Sequence, residues 1–286
     1  MRIGTENAVL RFKFGEEKSL RLIAEAGFEC VDYSLFNELG KSPDWLLADD
    51  YLESAEKTRR LIAKNGLVCS QTHVPFRLQT DAPRDESNPD YLGILRGLEY
   101  SGMIGAPCAV VHALTPPRGM DVVQYNIPFY MGLVPFARKA GVKIAVENLF
   151  KHDEYLPQLA PKLYMPSQFI ELFAALPEDC FTVCLDTGHS AICGWEPEEF
   201  LRAMPKKMVT VLHIQDNNRL KDLHLAPFLS ELHWDEFAAA LKDYGFDGVF
   251  NMELYHFYKR MPEELLPDAL HFAAKIGRYI VGQIEK

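Results

Sequence analysis

Ala140-Gly141-Val142-Lys143-Ile144-Ala145-Val146-Glu147-Asn148 is the stretch that decides the fold. A helix ends on Gly141, a residue free to take the left-handed backbone, an apolar strand starts at once, and that strand stops on an acid. The same phrase recurs at Ala26-Gly27-Phe28, Asn65-Gly66-Leu67, Ile104-Gly105-Ala106 and Tyr244-Gly245-Phe246. The first four glycines lie 39, 39 and 36 residues apart, and the last gap of 104 holds close to three more units of that size. A steady period of this length marks a repeated supersecondary unit, and eight such units fill the 286 residues.

The text between the glycines fits helix–strand alternation. Leu20, Ile23, Ala24 and Gly27 keep helical spacing, whereas residues 108–111, 143–146, 181–185 and 208–212 are near-continuous apolar runs. Such runs suit parallel strands covered on both faces. With right-handed crossovers, eight units predict a (β/α)8 TIM barrel occupying residues 1–286 as a single domain. An open doubly wound sheet is the alternative, but no GxGxxG opens a helix after the first strand.

Seven of the eight candidate strands end on a residue able to bind metal or move protons: Asp32, His73, His112, Glu147, Asp186, His213 and Glu253. The strand-to-helix connections are long, at about 74–88, 113–120, 148–165 and 215–232, while the helix-to-strand connections are nearly bare. Barrel active sites are built from strand-to-helix loops at the C-terminal rim, so both features point to one face. On strand five, alternation puts Lys143, Ala145 and Glu147 on one side and Ile144 and Val146 on the other. Glu147, Asp186, His213 and Glu253 come from four consecutive strands and form an oxygen-plus-imidazole set suited to one divalent cation. Three clustered carboxylates would otherwise raise each other's pKa, and a cation removes that conflict. Asp32 is expected to be a pocket-floor or structural acid.

The bulk numbers narrow the function classes. With 30 Lys and Arg against 40 Asp and Glu the net charge is −10, and no stretch concentrates cations, which disfavours a nucleic-acid footprint. No window approaches eighteen apolar residues and the N-terminus has no apolar run, so neither a membrane span nor a signal peptide is expected. Six cysteines without CxxC spacing read as reduced thiols, in keeping with a cytoplasmic protein. A C-terminal helix over residues 262–284 has enough apolar positions to support a homo-oligomer face.

Val146-Glu147-Asn148, Leu185-Asp186-Thr187-Gly188-His189, His213-Ile214-Gln215-Asp216-Asn217 and Met252-Glu253-Leu254 resemble the sequential motifs of the xylose isomerase-like TIM barrels, in particular the sugar phosphate isomerase/epimerase group. The resemblance implies a divalent-metal-dependent isomerase or epimerase of a sugar, either a ketose or a cyclitol. One ion, Mn²⁺ by preference and Mg²⁺, Co²⁺ or Zn²⁺ otherwise, would be held by Glu147, Asp186, His213 and Glu253. Glu147 and Glu253 would form the acid–base pair, working through a metal-held cis-enediolate. His189 and Arg219 would contact substrate oxygens, and His73 and His112 would line the pocket. Phe76, Phe150 and Trp195 follow ligand-bearing strands and are expected to form an apolar wall.

Two rivals share the motifs. One is a metal-dependent lyase of the inosose dehydratase type. The other adds His73, His112, His189, Asp222 and His224 to the four ligands, giving nine positions that resemble the trinuclear zinc set of the endonuclease IV branch. Against the nuclease stand acidic loop segments, Asp81 to Glu86 and His152-Asp153-Glu154, where a DNA backbone would want cations. No Gly-rich phosphate cradle is visible, which favours a free sugar or cyclitol.

Overall fold

Eight strands pair in parallel and in sequence order around a ring in the computed structural model, which describes residues 1–78, 82–150 and 162–286. They are β1 (Ile3–Glu6), β2 (Cys30–Ser34), β3 (Val68–His73), β4 (Cys108–Val111), β5 (Lys143–Glu147), β6 (Phe181–Asp186), β7 (Val209–His213) and β8 (Phe250–Met252). Hydrogen-bonded order runs β7-β6-β5-β4-β3-β2-β1-β8. A parallel bridge between Ile214 and Met252 joins the two ends, with the Ile214 amide donating to Asn251 O at 2.9 Å and the Glu253 amide to Ile214 O at 3.0 Å. Helices lie between successive strands, so the chain is a (β/α)8 TIM barrel.

The repeated glycines do what their position requires. Gly141 and Gly245 take left-handed conformations just past helices Val122–Ala140 and Trp234–Tyr244, and Gly27, Gly66 and Gly105 also have positive φ. An L side chain would be strained at these joints, which is why the helix stops there and the strand can begin at once.

Alternation then sorts side chains between two apolar layers. Ile144 and Val146 of β5 join the large core between strands and helices, whereas Ala145 belongs to a separate small cluster with Cys108, Val110, Cys184 and Val211. Val110, Ala145, Cys184 and Val211 each lie two residues before a rim residue: His112, Glu147, Asp186 and His213. A strand period of two therefore stacks each rim group above an inner apolar plug. The plug gives those polar groups no water from below, and it fixes their height.

The apolar stripe of the C-terminal helix Leu266–Ile284 faces inward. Leu266, Leu270, Ala273, Ile280 and Ile284 are buried, and Phe272 and Tyr279 are its large exposed residues. The positions that read as an oligomer face are thus core. All six cysteines are unpaired, and five are buried. No described helix is long and apolar enough to cross a membrane. Asp81 and the segment His152-Asp153-Glu154, weighed above for their charge, lie outside the described residues.

Candidate metal centre

Strand ends bring donor atoms from β5, β6, β7 and the residue after β8 to one point. One ligand atom each of Glu147, Asp186, His213 and Glu253 lies within 4.8 Å of the others. All four sit at the floor of a cavity of about 850 Å³ or just beneath it, and three of them are fully buried. Two further groups meet the same criterion beside the first: His73, His112 and Glu147, and His189, Asp222 and His224. Glu147 belongs to two of the three groups. His112 Nε2 lies 2.8 Å from its Oε2, and His213 Nδ1 lies 3.0 Å from its Oε1.

The imidazoles are aimed by what their outer nitrogens touch. A carbonyl oxygen can only accept, so Nδ1–H donates from His73 to Val74 O (2.9 Å), from His189 to Asn148 O (2.9 Å) and from His224 to Glu253 O (3.0 Å). Nε2 of His73 then faces His112 Nε2 at 3.0 Å, and Nε2 of His189 and of His224 faces Asp222 Oδ2 at 3.6 and 2.9 Å. His213 is reversed: Nε2–H donates to Asp32 Oδ2 at 3.1 Å, and Nδ1 faces Glu147. Donation of the outer N–H to a carbonyl or carboxylate is how proteins fix the tautomer of a metal-binding histidine. Asp32, from β2, is therefore the group that orients His213 across the barrel. Its Oδ2 also accepts from Gln71 Nε2 (2.9 Å) and Asn251 Nδ2 (3.2 Å).

The motif residues between the ligands hold the loops. Asn148 pairs with the main chain of Asp186 in both directions, accepting its N–H at 2.7 Å and donating to its carbonyl at 2.9 Å. Asp186 caps helix Thr187–Ile192 through the His189 amide. Gln215 Nε2 donates to Asp222 Oδ1 at 2.6 Å and, at longer range, to Asp186, while its Oε1 accepts the His224 amide at 3.0 Å. Gly188 leaves the room this needs, because a Cβ there would stand 2.4 Å from Gln215 Cδ. Asp216 accepts the amides of Ser230 and Leu232 and the Trp234 indole, pinning the loop after β7.

Electrostatics follow from burial among opposite charges. Burial opposes ionisation of Glu147, but His213 and His112 overcome it and hold its carboxyl well below the usual range. Asp186 is pushed up to about 7 by burial, with His189 opposing and Glu253 and Glu147 adding to the rise. Burial works against protonated His213, yet Glu253, Glu147 and Asp32 help draw it well above the ordinary histidine range. His112 goes the other way, to about 4, because burial outweighs its Glu147 partner. Glu253 Oε2 is buried and has no hydrogen-bond partner among the described residues. A buried bare carboxylate oxygen, facing inward imidazoles, fits a divalent cation.

Several expected positions behave differently. Arg219, expected to contact substrate, turns away: it makes a two-pronged pair with Glu196 (2.9 and 3.0 Å), donates to Glu231 O at 2.6 Å, and does not line the cavity. The Glu196 carboxylate holds the guanidinium there, and the Arg219 backbone is left-handed with a φ of 59°. Trp195 packs on Phe200 instead of forming a cavity wall, while Phe76 and Phe150 do line it. His73, His112, His189, Asp222 and His224 all face the cavity. The sequence reading omits Glu6, which ends β1 and lines the same cavity. Burial pushes Glu6 up to about 8, aided by Glu253 and Asp32, and its Oε1 has no partner among the described residues. The strand-end rule reaches Glu6 once Arg2-Ile3-Gly4-Thr5 is accepted as a strand, but Gly4 and Thr5 break the apolar run that marks the others.

Comparisons with known proteins agree with this architecture. Over 269 residues the chain is 28% identical to the uncharacterized protein y4fM of Sinorhizobium fredii, covering 84% of this chain and 81% of that protein. A solved D-tagatose 3-epimerase-like protein superposes with a TM-score of 0.75 at 18% identity, over 100% of this chain and 98% of that one. D-psicose 3-epimerase, solved in the presence of D-fructose, superposes at 0.74 and 14% identity, over 99% and 100% of the two chains. Likeness at such identities carries the fold and no more. The family model for the xylose isomerase-like TIM barrel matches residues 20–276, and the chain belongs to that family.

Proposed function

We propose that this protein is a divalent-metal-dependent isomerase or epimerase acting on a small sugar, a ketose or a cyclitol. The observation that carries the reading is the convergence of Glu147, Asp186, His213 and Glu253 on one point, with the two glutamates of the set lining one cavity. The fold-sharing D-psicose 3-epimerase supports it. Those four residues would hold the ion, Mn²⁺ by preference. When bound, a divalent ion polarises a substrate carbonyl as a Lewis acid.

The chain's own groups do the proton work. One of Glu147 and Glu253 removes the proton on the carbon beside the carbonyl, leaving an enediolate. The other delivers a proton, to the opposite face for epimerisation or to the neighbouring carbon for isomerisation. His112 and His189, each exposed to the cavity, offer imidazole nitrogens to substrate oxygens. Phe76 and Phe150 supply apolar walls that keep water from the carbanionic carbon. A cytoplasmic location belongs to the same reading, supported by six unpaired thiols.

Deuterated water provides the test. Any substrate the protein turns over should gain solvent deuterium at the carbon next to its carbonyl; turnover without label would exclude the proton-transfer route.

A second reading rests on the two flanking groups. His73 and His112 with Glu147, and His189 and His224 with Asp222, each gather donors tightly enough for an ion of their own. Three ions would make the centre endonuclease IV-like and shift the chemistry toward phosphodiester cleavage.

A further inference from the structure

A second cavity of about 360 Å³ adjoins the first, and its fully charged side chains among the described residues are all cations. Phe76, Arg77, His112 and Lys162 line both cavities, so the two communicate past the His112 ring. Where the first holds Glu6, Asp32, Glu147 and Glu253, the second holds Lys41, Arg77 and Lys162 and no acid among the described residues.

The three cations come from three loops, and two of them are locked side by side. Gly40 O accepts the Phe76 amide at 2.9 Å and the Arg77 amide at 3.2 Å, which ties the loop after β2 to the loop after β3. A Cβ on Gly40 would stand 2.5 Å from the Phe76 ring, so this joint needs glycine. Lys162 Nζ donates to the Thr115 hydroxyl at 2.7 Å, a neutral partner that leaves its charge uncompensated. Among the described residues none of the three cations is in an ion pair. Burial, with the Arg77 charge adding to it, holds the Lys162 ammonium below the ordinary lysine range. Pro75, Ile94 and Leu114 form apolar walls beside these charges.

We infer that this second cavity receives the phosphate monoester end of the substrate, so that the protein acts on a phosphorylated sugar whose reacting carbons lie over Glu147 and Glu253. The inference rests on the isomerase or epimerase reading for the other end of the substrate. Three cations match a phosphate dianion better than a carboxylate monoanion, and Arg77 can meet two phosphate oxygens at once. The acids among the described residues line the first cavity only, so the anionic end is favoured at the second. The absence of a glycine-rich cradle does not disfavour phosphate, because side chains take its place.

Calorimetric binding to the metal-free protein, which the proposed mechanism leaves without turnover, tests this with every side chain in place. The probes are D-xylulose 5-phosphate, D-xylulose, the carboxylate-ended sugar D-fructuronate, and inorganic phosphate. The phosphorylated ketose should bind at least about tenfold more tightly than the free one, and inorganic phosphate should compete with it. Arg77→Gln and Lys41→Gln, both at exposed positions, should each weaken the phosphorylated probe by about tenfold, and Lys41→Gln, in the second cavity alone, should leave the free ketose unchanged. Equal binding of the two ketoses, tighter binding of fructuronate, or a preference that survives Arg77→Gln with Lys162→Met would overturn the inference. Phosphate binding that obeys these rules, in a protein whose substrates never take up deuterium, would reject the isomerase reading alone.

Discussion

Replacing Asp32 by Asn should cost metal affinity while leaving every proposed ligand in place. Asp32 Oδ2 accepts from His213 Nε2 at 3.1 Å, Gln71 Nε2 at 2.9 Å and Asn251 Nδ2 at 3.2 Å, and both Asp32 and His213 are at most 1% exposed. No water can stand in for the lost charge. The Asn oxygen can occupy the Oδ2 position only by turning its NH₂ to the Oδ1 position, where the aspartate has no partner among the described residues. A hydrogen bond to a charged group contributes about 1.5–3 kcal/mol, and removing a carboxylate behind a metal-binding histidine typically lowers affinity about 10–100-fold. That factor converts to about 1.4–2.7 kcal/mol, within the same range. Calorimetric titration with Mn²⁺ should register the drop, and the ¹⁵N-monitored titration of His213 should move to lower pH in the metal-free variant, because the Asp32 carboxylate helps hold its proton. If Asp32→Asn binds Mn²⁺ within about twofold of the parent and His213 titrates unchanged, the role given to Asp32 is wrong.

Four further outcomes are expected. Glu147→Gln and Glu253→Gln should each abolish turnover with circular dichroism unchanged, and activity retained in both would refute the acid–base pair. Elemental analysis of the purified protein should give about one divalent ion per chain, whereas about three zinc ions would favour the second reading. Metal affinity should rise with pH between about 6 and 8, by about tenfold or more per unit, because binding expels the proton held on His213 and the one shared by Asp186 near pH 7. A flat profile, or heats that do not vary with the ionisation enthalpy of the buffer, would contradict that proton release. Gly188→Ala should destabilise the fold by about 1–3 kcal/mol in urea unfolding, since the new Cβ meets Gln215 and Asn217 at 2.4 and 2.7 Å; an unchanged midpoint would mean the Gln215 contact yields freely.

Local periodicity explains what could be read from the sequence. The glycine phrase and the apolar runs announce strands within a residue or two: residues 108–111 are β4, and residues 143–146 are all but the last position of β5. Rim residues are legible for the same reason, since a strand of period two delivers its last inward residue to a fixed height. Contacts that close across the barrel or between loops leave no such trace. Asp32 and His213 meet 181 positions apart, and nothing near either residue signals the partner. Arg219 is held by Glu196, 23 residues upstream. Lys41 and Arg77 come together because the Gly40 carbonyl ties the loops after β2 and β3, and Lys162 reaches them from a third loop through its bond to Thr115.

The carbonyls that hold His73, His189 and His224 belong to Val74, Asn148 and Glu253, each the first residue beyond a strand. The ring orientations are thus written into the strand ends and not into the loops that surround the cavity. The loops after β3 and β5 can then be rebuilt beyond Val74 and Asn148 for a new substrate while those two carbonyls stay in place. A scaffold divided in this way lets evolution, or an engineer, exchange specificity while inheriting the reactive centre intact.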